Sequence, residues 1–177
     1  MKITSPLIIS ALIAIFVILS CSKDESGPDH VDPEQELTFA VEDKDGNIFI
    51  NNQTVDFSSL SYPDASLDFL VRNISSEIIG MRIEVESITG TDGSMMELCF
   101  GQCFAGVSQG VSYPSNNAEP VVYINPGQTQ TSSGDHFFNT DPGNGSDPVE
   151  YTFKFYISEN GEQVGADFRL KYRYSQN

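Results

Sequence analysis

The sequence predicts an all-β protein, a sandwich of antiparallel sheets, and three observations carry that prediction. Val149, Tyr151, Phe153, Phe155 and Ile157 are apolar at every second position, and Ala166, Phe168, Leu170, Tyr172 and Tyr174 repeat the pattern. Both runs have the period of half-buried strands. Between them stands Asn160-Gly161, a pair that tolerates φ > 0 at both turn positions and so closes a two-residue hairpin. Aromatic and β-branched residues abound elsewhere, and helix-period segments are lacking after the amino-terminal leader.

Centring the turn on Asn160-Gly161 sets an expected register. Ile157 faces Val164, Phe155 faces Ala166, Phe153 faces Phe168 and Tyr151 faces Leu170. The other face then pairs Lys154 with Asp167 and Glu150 with Lys171. Apolar meets apolar and opposite charges meet, as a specified register requires. One face of such a hairpin needs a second sheet to cover it.

The leader comes first in chain order. Met1-Lys2 supplies a positive start and Pro6 to Leu19 a short apolar run, which together read as a secretory signal peptide over 1–20. About 14–15 apolar residues fall short of the roughly 20 that span a bilayer. Ile18-Leu19-Ser20-Cys21 resembles the lipobox of bacterial lipoproteins, and that resemblance implies lipidation of Cys21 and a membrane anchor. Ser22-Lys23-Asp24-Glu25 is similar to the surface-export signal of lipoproteins in the Bacteroidota. Residues 21–35 are rich in Ser, Gly, Pro, Asp and Glu and form the expected disordered tether, with His30 solvated in it. The stretch from Ser22 reaches roughly 46–50 Å when extended.

The folded domain is expected over 36–177, a length that suits one core without a metal. The formal charge is −16 and becomes −17 when Lys2 leaves with the leader. Such an acidic body repels nucleic acid and anionic membrane surfaces, so no nucleic-acid partner is expected.

Leu37 to Val41 alternates as the first strand, Asp43 to Asn47 turns the chain, and Ile48-Phe49-Ile50 continues as a strand. Asp43, Asp45 and Asn47 have the opening spacing of a calcium loop, but its twelfth position is Thr54 instead of Glu, which leaves a hairpin turn. Leu67, Phe69 and Val71 share one strand face; Met81, Ile83 and Val85 share another, with Arg82, Glu84 and Glu86 opposed. Pro120 to Ile124 reads as a short strand, Asn125 to Gln128 as a type II turn, and Thr129 to Ser133 as a polar edge strand. Gly134 to Pro148 reads as a loop. Its Asp135, His136, Asp141, Asn144 and Asp147 could hold calcium, yet they are also ordinary turn residues. Of Phe137 and Phe138, one ring is expected in the core.

Cys99 and Cys103 are the pair left after lipidation, and outside the cytoplasm they suggest a disulfide. Residues four apart on a straight strand lie about 13 Å apart, whereas a disulfide needs Cα atoms within roughly 7 Å, so the chain must double back at Gly101. A loop this small contributes about 2 kcal/mol in the chain-entropy view. A metal site on Cys99, Cys103 and His136, or a redox-active thiol pair, is the alternative, although the recurring spacing for both is CxxC. No metal or other cofactor beyond the lipid is expected.

Leu98-Cys99-Phe100-Gly101-Gln102-Cys103, then Ile124-Asn125-Pro126-Gly127, then Val149 to Phe153 resembles an immunoglobulin-like module of secreted and cell-surface proteins of the Bacteroidota. The resemblance spans about residues 36 to 175. It implies an immunoglobulin-like sandwich of about seven to nine strands and no enzymatic activity.

No Gly-rich phosphate loop and no HExxH occurs, and His136 is the sole candidate base in the fold. The function expected is therefore a non-enzymatic accessory lipoprotein of the outer-membrane surface that docks another envelope protein. Lys154, Arg169, Lys171 and Arg173 lie on the non-core face of the hairpin, a basic strip that would steer an acidic partner. Cross-strand pairing with Glu150 and Asp167 is the competing role for those cations. The alternative function is glycan binding, with Phe104, Tyr113, Phe137 or Phe138 stacking on sugar rings.

Overall fold

Twelve strands and no helix make up the described residues of the computed structural model, which are 36–116, 120–130, 134–145 and 148–176. The leader, Cys21, the tether to residue 35, Asp147 and residues 131–133 of the expected edge strand lie outside them. In chain order the strands are β1 (Phe39–Glu42), β2 (Gln53–Phe57), β3 (Ser66–Asp68), β4 (Leu70–Asn73), β5 (Ile79–Thr89) and β6 (Met96–Phe100). They continue as β7 (Gln102–Ala105), β8 (Ser112–Tyr113), β9 (Val122–Ile124), β10 (His136–Asn139), β11 (Val149–Glu159) and β12 (Glu162–Tyr174).

Three sheets result. The largest runs β2-β12-β11-β5-β8, with β9 also on β5; the second runs β3-β10-β6-β7; the third is the pair β1-β4. The first two face each other as an immunoglobulin-like sandwich, and aromatic rings fill the space between. Phe137 of β10 stacks on Phe153 of β11 at 3.6 Å, and Phe69 meets Phe155 edge-on at 5.3 Å. Phe69, Phe137, Phe153 and Phe155 are all shut off from solvent. Burying one such ring is worth about 1.5–3 kcal/mol.

The strand count exceeds seven to nine because several short pieces replace single strands. Leu67, Phe69 and Val71 are buried on one face as expected, but the run breaks at Phe69, whose N–H donates to the Asp135 carbonyl at 3.2 Å. Its two halves serve different sheets. Ile48 to Ile50 is no strand; Ile48 makes one isolated bridge to Glu42, and the chain enters the large sheet later, as β2. That strand runs parallel to β12, the one parallel pairing among the described strands. The segment read as a loop after Gly134 contains β10, which is central in its sheet between β3 and β6.

The β11–β12 hairpin keeps its faces but not its register. Asn160 and Gly161 both have positive φ (53° and 89°), and Ile157 faces Val164 as expected. Beyond that point the register shifts by two, so Phe155 faces Phe168, Phe153 faces Leu170 and Tyr151 faces Tyr172. Gly165, at φ 72°, lies in the bulged segment of β12. A shift of two preserves which residues point inward, because side chains alternate with period two. It does abolish the expected Lys154–Asp167 and Glu150–Lys171 pairs: Lys154 now faces Arg169, and Glu150 faces Arg173.

Candidate functional site

The basic strip is the first candidate, and its cations are mostly matched by neighbouring strands. Lys154 Nζ lies 2.5 Å from Glu84 on β5. Arg169 forks onto Glu86, with Nε donating to Oε2 and Nη2 to Oε1, both at 2.8 Å, and it also donates to Asp167. Arg173 Nε donates to Asp56 on β2 at 2.6 Å. Lys171 makes no ion pair among the described residues, though its charge acts on Glu86. A one-residue bulge in β5 explains the Arg169 contact: Thr152 faces Ser87 and Phe153 faces Val85, which leaves Glu86 unopposed and re-aimed. The Arg169 hydrogen bond holds the Glu86 carboxyl below its ordinary range, and Glu86 in turn raises Arg169.

Among the candidate sugar-stacking rings, Phe137 is in the core and Tyr113 is 5% exposed, so neither offers a face to solvent. Alternation turns Phe137 inward beside Leu98, and Tyr113 is covered by Phe104 at 5.0 Å. Phe104 itself is half-buried by that contact. Phe138, pointing the other way, meets the exposed Tyr62 edge-on at 5.8 Å on the outer face of the four-stranded sheet.

The oxygen-rich loops are closed by their own backbones. Asp43 Oδ1 accepts from the N–H groups of Asp45 (2.9 Å) and Asn47 (2.8 Å), and Oδ2 accepts from the Asn47 amide. These bonds lower the Asp43 pKa and make the turn an Asx turn. Asp141 accepts from Thr91 and from the Gly143 N–H, and Asp135 Oδ1 accepts from the Gly101 N–H at 2.9 Å.

Gly101, at φ 67°, is the hairpin tip between β6 and β7, where the chain doubles back as expected. Cys99 and Cys103 face each other across it with Cα atoms 3.9 Å apart and form a disulfide. His136 is the β10 neighbour of Cys99, and its Nε2 lies 3.0 Å from Glu97 Oε1.

Gly106-Val107-Ser108-Gln109-Gly110 spells G-x-S-x-G, the motif that presents a hydrolase nucleophile on a strand-to-helix elbow. Here it lies in the connection from β7 to β8 and no helix follows it. The Ser108 N–H donates to the Tyr113 hydroxyl, which closes the segment as a loop.

The remaining feature is a groove of about 940 Å³ at the β5–β9 edge, reaching the tip of the β11–β12 hairpin. Ile78, Val121, Tyr123, Ile157 and Val164 give it apolar walls, and Glu77 and Glu159 also line it. Ile78 is 61% exposed and Tyr123 74%. Gly80 faces Tyr123 across the β5–β9 pair, and a Cβ there would stand 3.3 Å from Val121 and from the Ser158 carbonyl. A side chain at 80 would press on the groove wall. Two buried polar atoms of the lining, Arg82 Nε and Ser158 Oγ, lack a hydrogen-bond partner among the described residues. Arg82 is anchored through Nη2, which donates to the carbonyls of Ser112 (2.9 Å) and Pro114 (3.1 Å). Sequence reading did not single out this groove. One signal existed: inward-facing Ile124 puts Tyr123 on the opposite side of a short strand.

No protein-family model matches this chain, and no curated protein sequence matches it. Among solved structures it is similar to the N-terminal domain of PorA, at 20% identity and a TM-score of 0.45 over 77% of this chain and 97% of that one. It is also similar to the CooA pilin subunit from enterotoxigenic Escherichia coli, at 10% identity and a TM-score of 0.35 over 80% and 99% of the two chains. Likenesses this distant do not bear on function.

Proposed function

We propose that this protein is a non-enzymatic lipoprotein of the outer-membrane surface, anchored through Cys21, that docks an extended segment of another cell-envelope protein in the β5–β9 groove. The observation that carries the reading is a groove of about 940 Å³ at a sheet edge whose apolar walls stay open to solvent, Ile78 at 61% and Tyr123 at 74%. An extended polypeptide supplies what these walls lack: apolar side chains for Ile78 and Tyr123. Glu77 and Glu159, on a chain of net charge −16, favour a segment flanked by Lys or Arg.

A photo-crosslinking side chain at position 78, introduced into the intact cell, tests this. The expected result is an adduct with one envelope protein at an apolar, basic-flanked peptide, lost in a Tyr123→Ala background and absent when the probe stands at 171. Equal adducts from 78 and 171, or an adduct indifferent to Tyr123→Ala, would refute the docking. Mass spectrometry of the mature amino terminus checks the anchor; an unacylated Cys21 would remove it.

Glycan binding is kept as a second reading because Tyr62 and Phe138 form an aromatic pair on the outer face of the four-stranded sheet, beside Glu97 and His136. Retarded migration in a polysaccharide gel, lost on Tyr62→Ala, would favour it; unretarded migration with an intact position-78 adduct would exclude it.

A further inference from the structure

We propose that reduction of the Cys99–Cys103 disulfide converts the outer face of the four-stranded sheet into a zinc site, held by both thiolates, His136 and Glu97. The strands prepare it. His136, Cys99 and Cys103 are successive cross-strand partners on β10, β6 and β7, and so share one row and one face. Glu97 lies two residues before Cys99 and therefore points the same way. Ligand atoms of Glu97, Cys99 and His136 all lie within 4.8 Å of one another, and Cys103 Sγ is bonded to Cys99 Sγ. Around a tetrahedral zinc, ligand atoms stand about 3.3–3.8 Å apart, given its bond lengths to nitrogen and sulfur. Three of the four ligand atoms are thus near that spacing already, and the fourth is released beside them when the S–S bond breaks.

The surroundings fit a metal-binding histidine. His136 Nδ1 lies 2.6 Å from the Gly134 carbonyl, a contact in which Nδ1–H donates and leaves Nε2 as the ligand atom. Nε2 already stands 3.0 Å from Glu97 Oε1, so the two ligand atoms lie side by side. The Gly101 N–H bond to Asp135 holds the hairpin tip independently of the sulfur bridge, so the row outlasts reduction.

The chemistry needs a dithiol reductant, such as a thiol–disulfide oxidoreductase of the envelope. Its thiolate attacks the exposed Cys103 sulfur, the S–S bond breaks, and Cys99 leaves as thiolate. The reductant's second thiolate then closes its own disulfide and releases Cys103. Two electrons pass to the cysteines, the dithiol becomes a disulfide, and zinc binding sends the remaining thiol protons to solvent. In the oxidised protein both sulfurs are committed to each other, and the site is closed.

Cobalt(II) titration of the purified full chain reads this out, comparing the oxidised protein with protein reduced by a phosphine under anaerobic conditions. The expected result is a thiolate-to-cobalt charge-transfer band with the intense visible bands of a tetrahedral ion. These should saturate at one equivalent, appear in the reduced sample alone, and vanish on adding zinc. His136→Gln should weaken binding roughly tenfold or more. Comparing the two redox states of the unmodified protein keeps the test independent of whether a variant folds. Reduced protein without those bands, or metal uptake equal in both states as expected of a merely acidic surface, would overturn the proposal. Undiminished affinity in a folded His136→Gln variant would overturn it too.

Discussion

The outer face of the large sheet and the groove at its edge use similar residues to opposite ends. On the face, Lys154, Arg169 and Arg173 are each met by a carboxylate from their own strand or a neighbouring one. In the groove, Arg82 is held by the carbonyls of Ser112 and Pro114, and what stays open is apolar, the exposed Ile78 and Tyr123. A cation is therefore available to a partner only if the adjacent strands leave it unmatched. Counting positive residues along one strand does not reveal this, because the matching carboxylates Glu84, Glu86 and Asp56 come from β5 and β2.

Substitutions on the two sides should part company, most sharply at Lys154. Lys154→Ala strands Glu84, whose side chain is 25% exposed, and should cost about 2 kcal/mol in urea unfolding. Adding Glu84→Ala should return part of that loss, as a double-mutant cycle would record. Arg169→Lys keeps the charge but loses the fork onto Glu86, and should cost about 1 kcal/mol. It should also flatten the acid limb of the stability curve. Arg169 holds the folded Glu86 carboxyl below its ordinary value of 4.5, so the stabilisation is present above that pH and fades as pH falls through the lowered folded value. Thermal unfolding of both proteins between about pH 6 and pH 3 would check the slope.

Across the molecule the sign should change. Ser158→Ala removes a buried hydroxyl with no partner among the described residues, so urea unfolding should find stability unchanged or raised by up to ~1 kcal/mol. The smallest effect belongs to Ile78→Ser. Its exposure should keep the stability change within about 0.5 kcal/mol, although the position-78 face loses its apolar wall. A large loss at Ser158 or Ile78 would mean that the groove is part of the fold's own support and not a vacant surface.

Much of the sandwich was legible because its signals are local. Alternation from Val149 to Tyr174 and the Asn160-Gly161 turn fixed which residues are buried, and Gly101 between two cysteines fixed a hairpin tip. Register was less legible: the bulges at Gly165 and Glu86 have no strong signal in a single sequence, and each re-pairs every charge beyond it. The β10 strand was hidden because Gly, Pro and Asp on both sides of His136 to Asn139 speak for a loop, whereas two flanking strands decide the matter. Parallel β2 has no hairpin turn to announce it. The groove was illegible for a related reason: its walls come from the approach to β5, the β9 region and the far hairpin, and they converge only in the folded chain.

The parallel union of β2 with β12 has a consequence for the order in which the domain is finished. Residues 53–57 emerge from a ribosome well before the strand they lie against, 170–174. No turn can join parallel neighbours, and the loop to be closed is most of the domain. The earlier strand thus waits for the later one, and a chain delivered amino end first keeps β2 unpaired, and open to helpers or to capture, until residues 170–174 have followed.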